Sequence, residues 1–146
     1  MPKIENRSWA SVQTGDELPA VSFGPVTISQ LVRDAYGTRD LYPIHHDREF
    51  ARANGHRDSF LNTMWYHGFF GRLLTTEWAG HEAVVRALSF RMLKPGCLGD
   101  TLTGHGTVTR LYEEEGRKLA DVDLRIDNST SGPTSTVGRA TVEFAE

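Results

Sequence analysis

Apolar side chains recur with a helical period through the first half of the chain and with a strand period through the second. Thr27-Ile28-Ser29-Gln30 has the form of a capping box, with Val26 and Leu31 at the flanking staple positions, so a helix is expected to begin at Ile28. Its apolar residues Ile28, Leu31, Val32, Ala35 and Tyr36 fall on one helical face, and Gly37 is expected to end it in the left-handed conformation. Asp47 is placed to cap a short helix over Arg48 to Ala53, closed by Asn54-Gly55. From Phe60 to Trp78 the apolar positions leave almost no polar stripe, which predicts a long helix buried on every side. Gly68 and Gly71 inside it each cost about 1 kcal/mol relative to alanine. Close packing on a sheet is the expected reason for Gly71, and either that packing or a ligand for Gly68.

The later segments alternate. Leu88, Phe90 and Met92 interleave with Ala87, Ser89 and Arg91, and Ala120, Val122, Leu124 and Ile126 interleave with Asp121, Asp123 and Arg125. Ala140, Val142 and Phe144 close the chain, Gly99 to Leu111 reads as a threonine-rich strand, and Glu114-Glu115-Gly116 and Ser131-Gly132-Pro133 supply turns. Glu113-Glu114-Glu115 is expected to be a solvated hairpin end. With an early strand near Ala20 to Phe23, the pattern predicts an α+β fold: one domain over residues 1–146, with a curved antiparallel sheet of about five strands around a long buried helix.

Composition narrows the class. The chain has 146 residues, 38% hydrophobic and 24% charged, which fits one ordinary hydrophobic core and neither disorder nor a membrane span. A formal net charge of -3 gives no general pull toward nucleic acid or acidic lipid. Cys97 is the only cysteine, so no intramolecular disulfide or thiolate-built zinc site can form. Met1-Pro2-Lys3-Ile4-Glu5-Asn6-Arg7 has no apolar core of signal-peptide length, and a cytoplasmic location is expected.

Candidate chemistry lies between the helices. Asp40 and His45 stand five residues apart in Arg39-Asp40-Leu41-Tyr42-Pro43-Ile44-His45-His46-Asp47, a carboxylate and an imidazole able to share a proton-transfer job. Pro43 biases Tyr42 toward extended backbone, which is expected to hold the two apart rather than let them close into a helical turn. His45, His46 and Asp47 are consecutive and do not converge on one ion, so no metal is expected, and His46 reads as a structural or orienting neighbour. Tyr42 and Asn62 are candidates for the wall of a binding pocket, and Asn62 equally for satisfying the first turn of its helix. Taken by itself, an aspartate beyond a helix end is most often a loop cap.

Three stretches carry a resemblance: Asp40-Leu41-Tyr42-Pro43-Ile44-His45, Tyr66-His67-Gly68-Phe69, and Lys94-Pro95-Gly96-Cys97-Leu98-Gly99-Asp100-Thr101-Leu102. With the order of elements they resemble the MaoC-like (R)-specific enoyl-CoA hydratases, which have the hot-dog fold. That resemblance implies Asp40 and His45 as the catalytic pair, the Gly68 amide as donor to the thioester oxygen, coenzyme A as part of the substrate, and no separate cofactor. The family signature has glycine and asparagine where this chain has Arg39 and Tyr42, and both changes add bulk beside the site. Within the family, Thr38-Arg39-Asp40, His45-His46-Asp47-Arg48, Phe60-Leu61-Asn62 and Glu77-Trp78-Ala79-Gly80 are similar to the small MaoC-like subunit of the enoyl-CoA hydratase that degrades steroid side chains. The similarity implies a lipid or steroid acyl group of large size, and a homodimer or a heteromer with a second MaoC-like subunit. Hydration needs a base for water, an acid for the α-carbon and donors for the oxygen that gains charge. Which of Asp40 and His45 is acid and which base stays open, and the alternatives are a hot-dog acyl-CoA thioesterase or a non-catalytic partner subunit.

Overall fold

A computed structural model describes residues 5–145; residues 1–4, within the N-terminal stretch read above, and residue 146 lie outside the described residues. Five strands form one antiparallel sheet: β1 (Val21–Phe23), β2 (Val84–Met92), β3 (Leu102–Glu114), β4 (Arg117–Asn128) and β5 (Gly132–Phe144), in the order β1-β3-β4-β5-β2. Alternation settles their faces. Ala120, Val122, Leu124 and Ile126 of β4 are buried while Asp123 and Arg125 between them are exposed. β3 and β4 are joined at Glu115-Gly116, both at positive φ, and Glu113, Glu114 and Glu115 are exposed there as expected.

Three α-helices precede most of the sheet. α1 (Ile28–Thr38) starts on the foreseen capping box: the Gln30 amide donates to Thr27 Oγ1, and the Thr27 amide donates to Gln30 Oε1. Its end differs from expectation. Gly37 is still helical, and Arg39 takes the left-handed position at φ 59°. α2 (Arg48–Ala53) is capped by Asp47, which accepts from the Phe50 amide, and Gly55 follows at positive φ. α3 (Thr63–Leu74) begins three residues later than the apolar run suggests, because Asn62 caps it and Phe60 pairs as an isolated bridge with Cys97. A π-helical turn, Thr75–Ala79, continues it to Gly80.

α3 lies on one face of the sheet and is not buried all round. Tyr66, Phe69, Phe70, Leu73 and Leu74 face the core with Val108, Val122, Leu124, Ile126 and Val142, while Met64, His67, Gly68 and Arg72 are exposed. The helix comes close because of a glycine on the opposite element. A Cβ at Gly104 of β3 would stand 2.5 Å from the Phe69 ring, whereas one at Gly68 or Gly71 would meet nothing within 4 Å. The packing foreseen for Gly71 is therefore carried by Gly104. Gly71→Ala is expected to raise the stability of the isolated chain by about 0.5–1 kcal/mol, since a helical methyl group there displaces nothing. A thermal melt lower than that of the parent would show that the face is occupied. This helix on an antiparallel sheet is the expected hot-dog arrangement. No helix among the described residues is long and apolar enough to cross a membrane.

The turn from β2 into β3 is tied to the loop before α3. Asp100, 1% exposed, accepts from the Cys97 amide (2.9 Å), Asn128 Nδ2 (2.9 Å) and Arg57 Nη2 (2.5 Å). The Leu61 amide donates to Gly96 O (3.0 Å), the Leu98 amide to Ser59 O (2.9 Å), and the Gly96 amide to the buried Tyr66 hydroxyl (2.9 Å). Arg48 forks onto Asp58, joined by Arg52, so α2 is pinned to the same loop.

Candidate active site

The site is assembled where α1 ends and α3 begins. Arg39 turns the chain out of α1, Asp40 to Tyr42 run without regular structure, and Pro43–His45 form a single 3₁₀ turn in which the His46 amide donates to Pro43 O (3.0 Å). Tyr42 has the extended ψ of 128° that a following proline favours. The consequence is the reverse of the separation expected. The 3₁₀ turn doubles back, and His45 Nε2 stands 3.2 Å from Asp40 Oδ2.

Each partner is held differently. His45 is 8% exposed; its ring meets Phe60 edge to face, and its Nδ1 lies 2.8 Å from Phe60 O. A carbonyl can only accept, so Nδ1 donates its proton to Phe60 O, which leaves Nε2 turned toward Asp40. Ile44 anchors the turn in a small apolar cluster with Ala51, Phe60 and Cys97. The Asp40 side chain is 42% exposed. One end of the pair is therefore fixed in the interior and the other is open to small molecules. His46 points away, with Nε2 3.1 Å from Leu41 O, as its structural reading anticipated.

Asn62 takes the helix-capping role. It is 1% exposed; Oδ1 accepts from the Trp65 amide (3.1 Å) and Nδ2 donates to Thr38 Oγ1 (2.5 Å). These bonds put Asn62 beneath the site rather than in its wall. Tyr42 is exposed and rests its ring against Phe50. Gly68 sits in the interior of α3, where its amide belongs to the helical ladder, so it is not an available donor. The amides of α3 that lack an intrahelical partner are in its first turn, and with the Trp65 amide capped by Asn62 they are those of Thr63 and Met64.

Sequence reasoning passed over Asp34 and Thr38. Asp34 Oδ2 accepts from the Asn62 amide (3.0 Å), and Thr38 Oγ1 donates to Asp34 O (2.6 Å). Burial holds the Asp34 carboxyl above the usual carboxylate range, against the Asn62 amide and His45, and Asp40 adds to the rise. Only the four-residue spacing of Asp34 and Thr38 on α1 hinted at a shared face.

The surroundings are apolar. Of the nine large hydrophobic side chains exposed among the described residues, six (Ile28, Val32, Tyr36, Leu41, Tyr42 and Met64) belong to α1, the Asp40–His45 loop or the first turn of α3. A groove of about 360 Å³ is lined by Val32, Ala35, Tyr36, Leu41 and His46, two of which adjoin the pair in sequence. Such a patch on an otherwise polar surface marks a place for an apolar ligand or another chain.

Residues 11–130 match the family described as MaoC like domain. The chain is 38% identical over 83 residues to the 3-oxo-4,17-pregnadiene-20-carboxyl-CoA hydratase beta subunit of Mycobacterium tuberculosis (strain ATCC 25618 / H37Rv), a match covering 57% of this chain and 64%, just under two thirds, of that relative. In three dimensions it resembles a chain of the ChsH1-ChsH2 complex from Mycobacterium tuberculosis, with a TM-score of 0.81 and 29% identity, covering 90% of this chain and 98% of that one. The fold is shared with the (R)-hydratase from A. caviae involved in PHA biosynthesis, with a TM-score of 0.81 and 23% identity over 92% of this chain and 98% of the hydratase.

Proposed function

The chain belongs to the MaoC-like domain family, and from that premise we propose that it adds water to the double bond of an enoyl-CoA thioester, or removes water in the reverse direction, with Asp40 and His45 as its acid/base pair. The observation that carries this reading is the 3.2 Å approach of His45 Nε2 to Asp40 Oδ2. With Nδ1 committed to Phe60, Nε2 and Asp40 Oδ2 are close enough to share a proton directly, and a water molecule beside them can hydrogen-bond to both. That water is oriented, and activated by whichever member takes its proton.

In hydration the water oxygen bonds to the β-carbon as the alkene π bond opens. One proton of the water passes to the pair and one proton passes from the pair to the α-carbon, so its protonation is restored at the end of the turn. The charge that gathers on the thioester oxygen between these events is held by the free amides of Thr63 and Met64 at the positive end of α3. They replace Gly68 in that role. The apolar rim, exposed Tyr42 included, and the 360 Å³ groove support an acyl group of some bulk, and the name of the M. tuberculosis hydratase subunit supports a ring-bearing one. The ChsH1-ChsH2 complex supports assembly with a second MaoC-like subunit, and the reaction belongs to the cytoplasm in this reading.

Mass analysis of short, long and ring-bearing enoyl-CoA esters after incubation with the protein is expected to show a gain of one water. Release of free thiol would replace hydration with thioester hydrolysis. Unchanged esters of every kind, with the protein alone and with a MaoC-like partner subunit, would leave a non-catalytic role.

A further inference from the structure

We infer that Asp34 and Thr38 are positioning residues: through Asn62 they clamp the end of α1, which delivers Asp40, to the start of α3, which presents the Thr63 and Met64 amides. The assignment rests on the hydratase reading, but its geometry stands apart from it. Three side chains close a ring of hydrogen bonds between the helices. Asn62 gives its backbone amide to Asp34 Oδ2 (3.0 Å) and its side-chain amide to Thr38 Oγ1 (2.5 Å), while Thr38 passes its own proton to Asp34 O (2.6 Å). Asn62 Oδ1 then fixes the first turn of α3 through the Trp65 amide (3.1 Å).

The spacing gives the ring its importance. Thr38 lies two residues before Asp40, and Asn62 immediately precedes Thr63. The two halves of the site, proton transfer and charge stabilisation, come from separate elements; Leu31 of α1 and Tyr66 of α3 share the core, but non-directional apolar packing alone does not set the distance between the halves. A hydrogen-bond ring at the junction does, and each bond in it is directional. Asn62 at 1% exposure cannot exchange these partners for water. The raised Asp34 carboxyl adds a practical point: the fold disfavours its charge, so a neutral amide in its place is tolerated.

Conservative and disruptive substitutions separate positioning from simple support. In Asp34→Asn the new Oδ1 still accepts from the Asn62 amide, and in Thr38→Ser the hydroxyl remains; both are expected to keep most of the hydration rate. Asp34→Ala and Thr38→Val break the ring and are expected to lower kcat by about 10- to 100-fold with little change in KM, because misplaced donors fail only as charge develops. Full kcat in Asp34→Ala accompanied only by a lower Tm would reduce the ring to a stabilising contact, and an Asp34→Asn rate as low as that of Asp34→Ala would assign the effect to charge. Hydrogen exchange at the Trp65 amide tests the clamp without turnover: Thr38→Val should expose it and Thr38→Ser should not. If the parent protein hydrates nothing, alone or with a MaoC-like partner subunit, yet exchange follows that pattern, the hydratase reading falls and the clamp stands. Unchanged Trp65 exchange in Thr38→Val overturns the clamp itself.

Discussion

Asp40→Asn is expected to remove hydration almost completely, with a fall of about 10²–10⁴-fold in rate, the usual contribution of a positioned acid/base group. The substitution keeps the size of the side chain and lies at a position where the carboxyl is 42% exposed, so folding should be unaffected. What is lost is the ability to hold a proton against His45 Nε2. His45→Ala should be as damaging to the rate, but it also empties a site that is 8% exposed and orphans the Phe60 carbonyl, and a lower Tm should accompany it. The double substitution should cost little more than either alone, because the two groups act as one unit. A bell-shaped pH profile would report that unit rather than either residue. Loss of the enoyl-thioester absorbance measured in the three variants decides the matter: undiminished turnover in Asp40→Asn removes the carboxylate from the mechanism.

Asp100→Ala is expected to be the most destabilising single change, at about 3–5 kcal/mol, the scale for breaking a buried ion pair from one side. Asp100 is 1% exposed, and its removal leaves the Cys97 amide and Asn128 Nδ2 without an acceptor as well as freeing Arg57. Arg57→Ala should cost far less, because the Arg57 side chain is 48% exposed while Asp100 retains its interior donors. Equal losses in the two variants would contradict this division. Burial alone would raise the Asp100 carboxyl, but donors from Thr130, Asn128, Cys97 and Arg57 outweigh it and hold the group below the usual carboxylate range. The Arg48 fork does the same for Asp58, with help from the Ser59 amide and Arg52. Both acids titrate lower folded than unfolded, so their stabilisation is complete above about pH 4 and is lost as pH falls through the folded values. Denaturant titrations should show it, with the acid loss reduced in Asp100→Ala. The Gly96–Asp100 turn seats Leu61 and bridges Phe60, whose carbonyl orients His45, so loosening it should slow hydration too.

The parts of the fold that were legible from residue order share one property: the interactions that decide them are local. The capping box at Thr27, the Asp47 cap, the Glu115-Gly116 turn and the alternation of β4 all depend on neighbours within a few positions. Expectations failed where a distant element chose. Arg39 rather than Gly37 took the left-handed position that ends α1, and the Phe60–Cys97 bridge and the Asn62 cap moved the start of α3 by three residues. The glycine that admits the long helix, Gly104, stands on β3, 35 residues beyond the Phe69 it accommodates, and nothing around Gly68 or Gly71 could reveal that.

The site divides in the same way. Asp40 and His45 could be singled out from spacing and residue type, because a carboxylate and an imidazole beside a proline form a recognisable local unit. Their contact could not, since it depends on a 3₁₀ turn anchored by Ile44 against Phe60 and Cys97. The sequence by itself determined the elements, the alternation of the sheet and the residues able to transfer a proton, all through short-range sterics and periodicity. Tertiary structure alone decided which amides of α3 remain free, which residues join α1 to α3, and which face of α3 stays open, because those depend on hydrogen bonds and burial between segments that periodicity treats as independent.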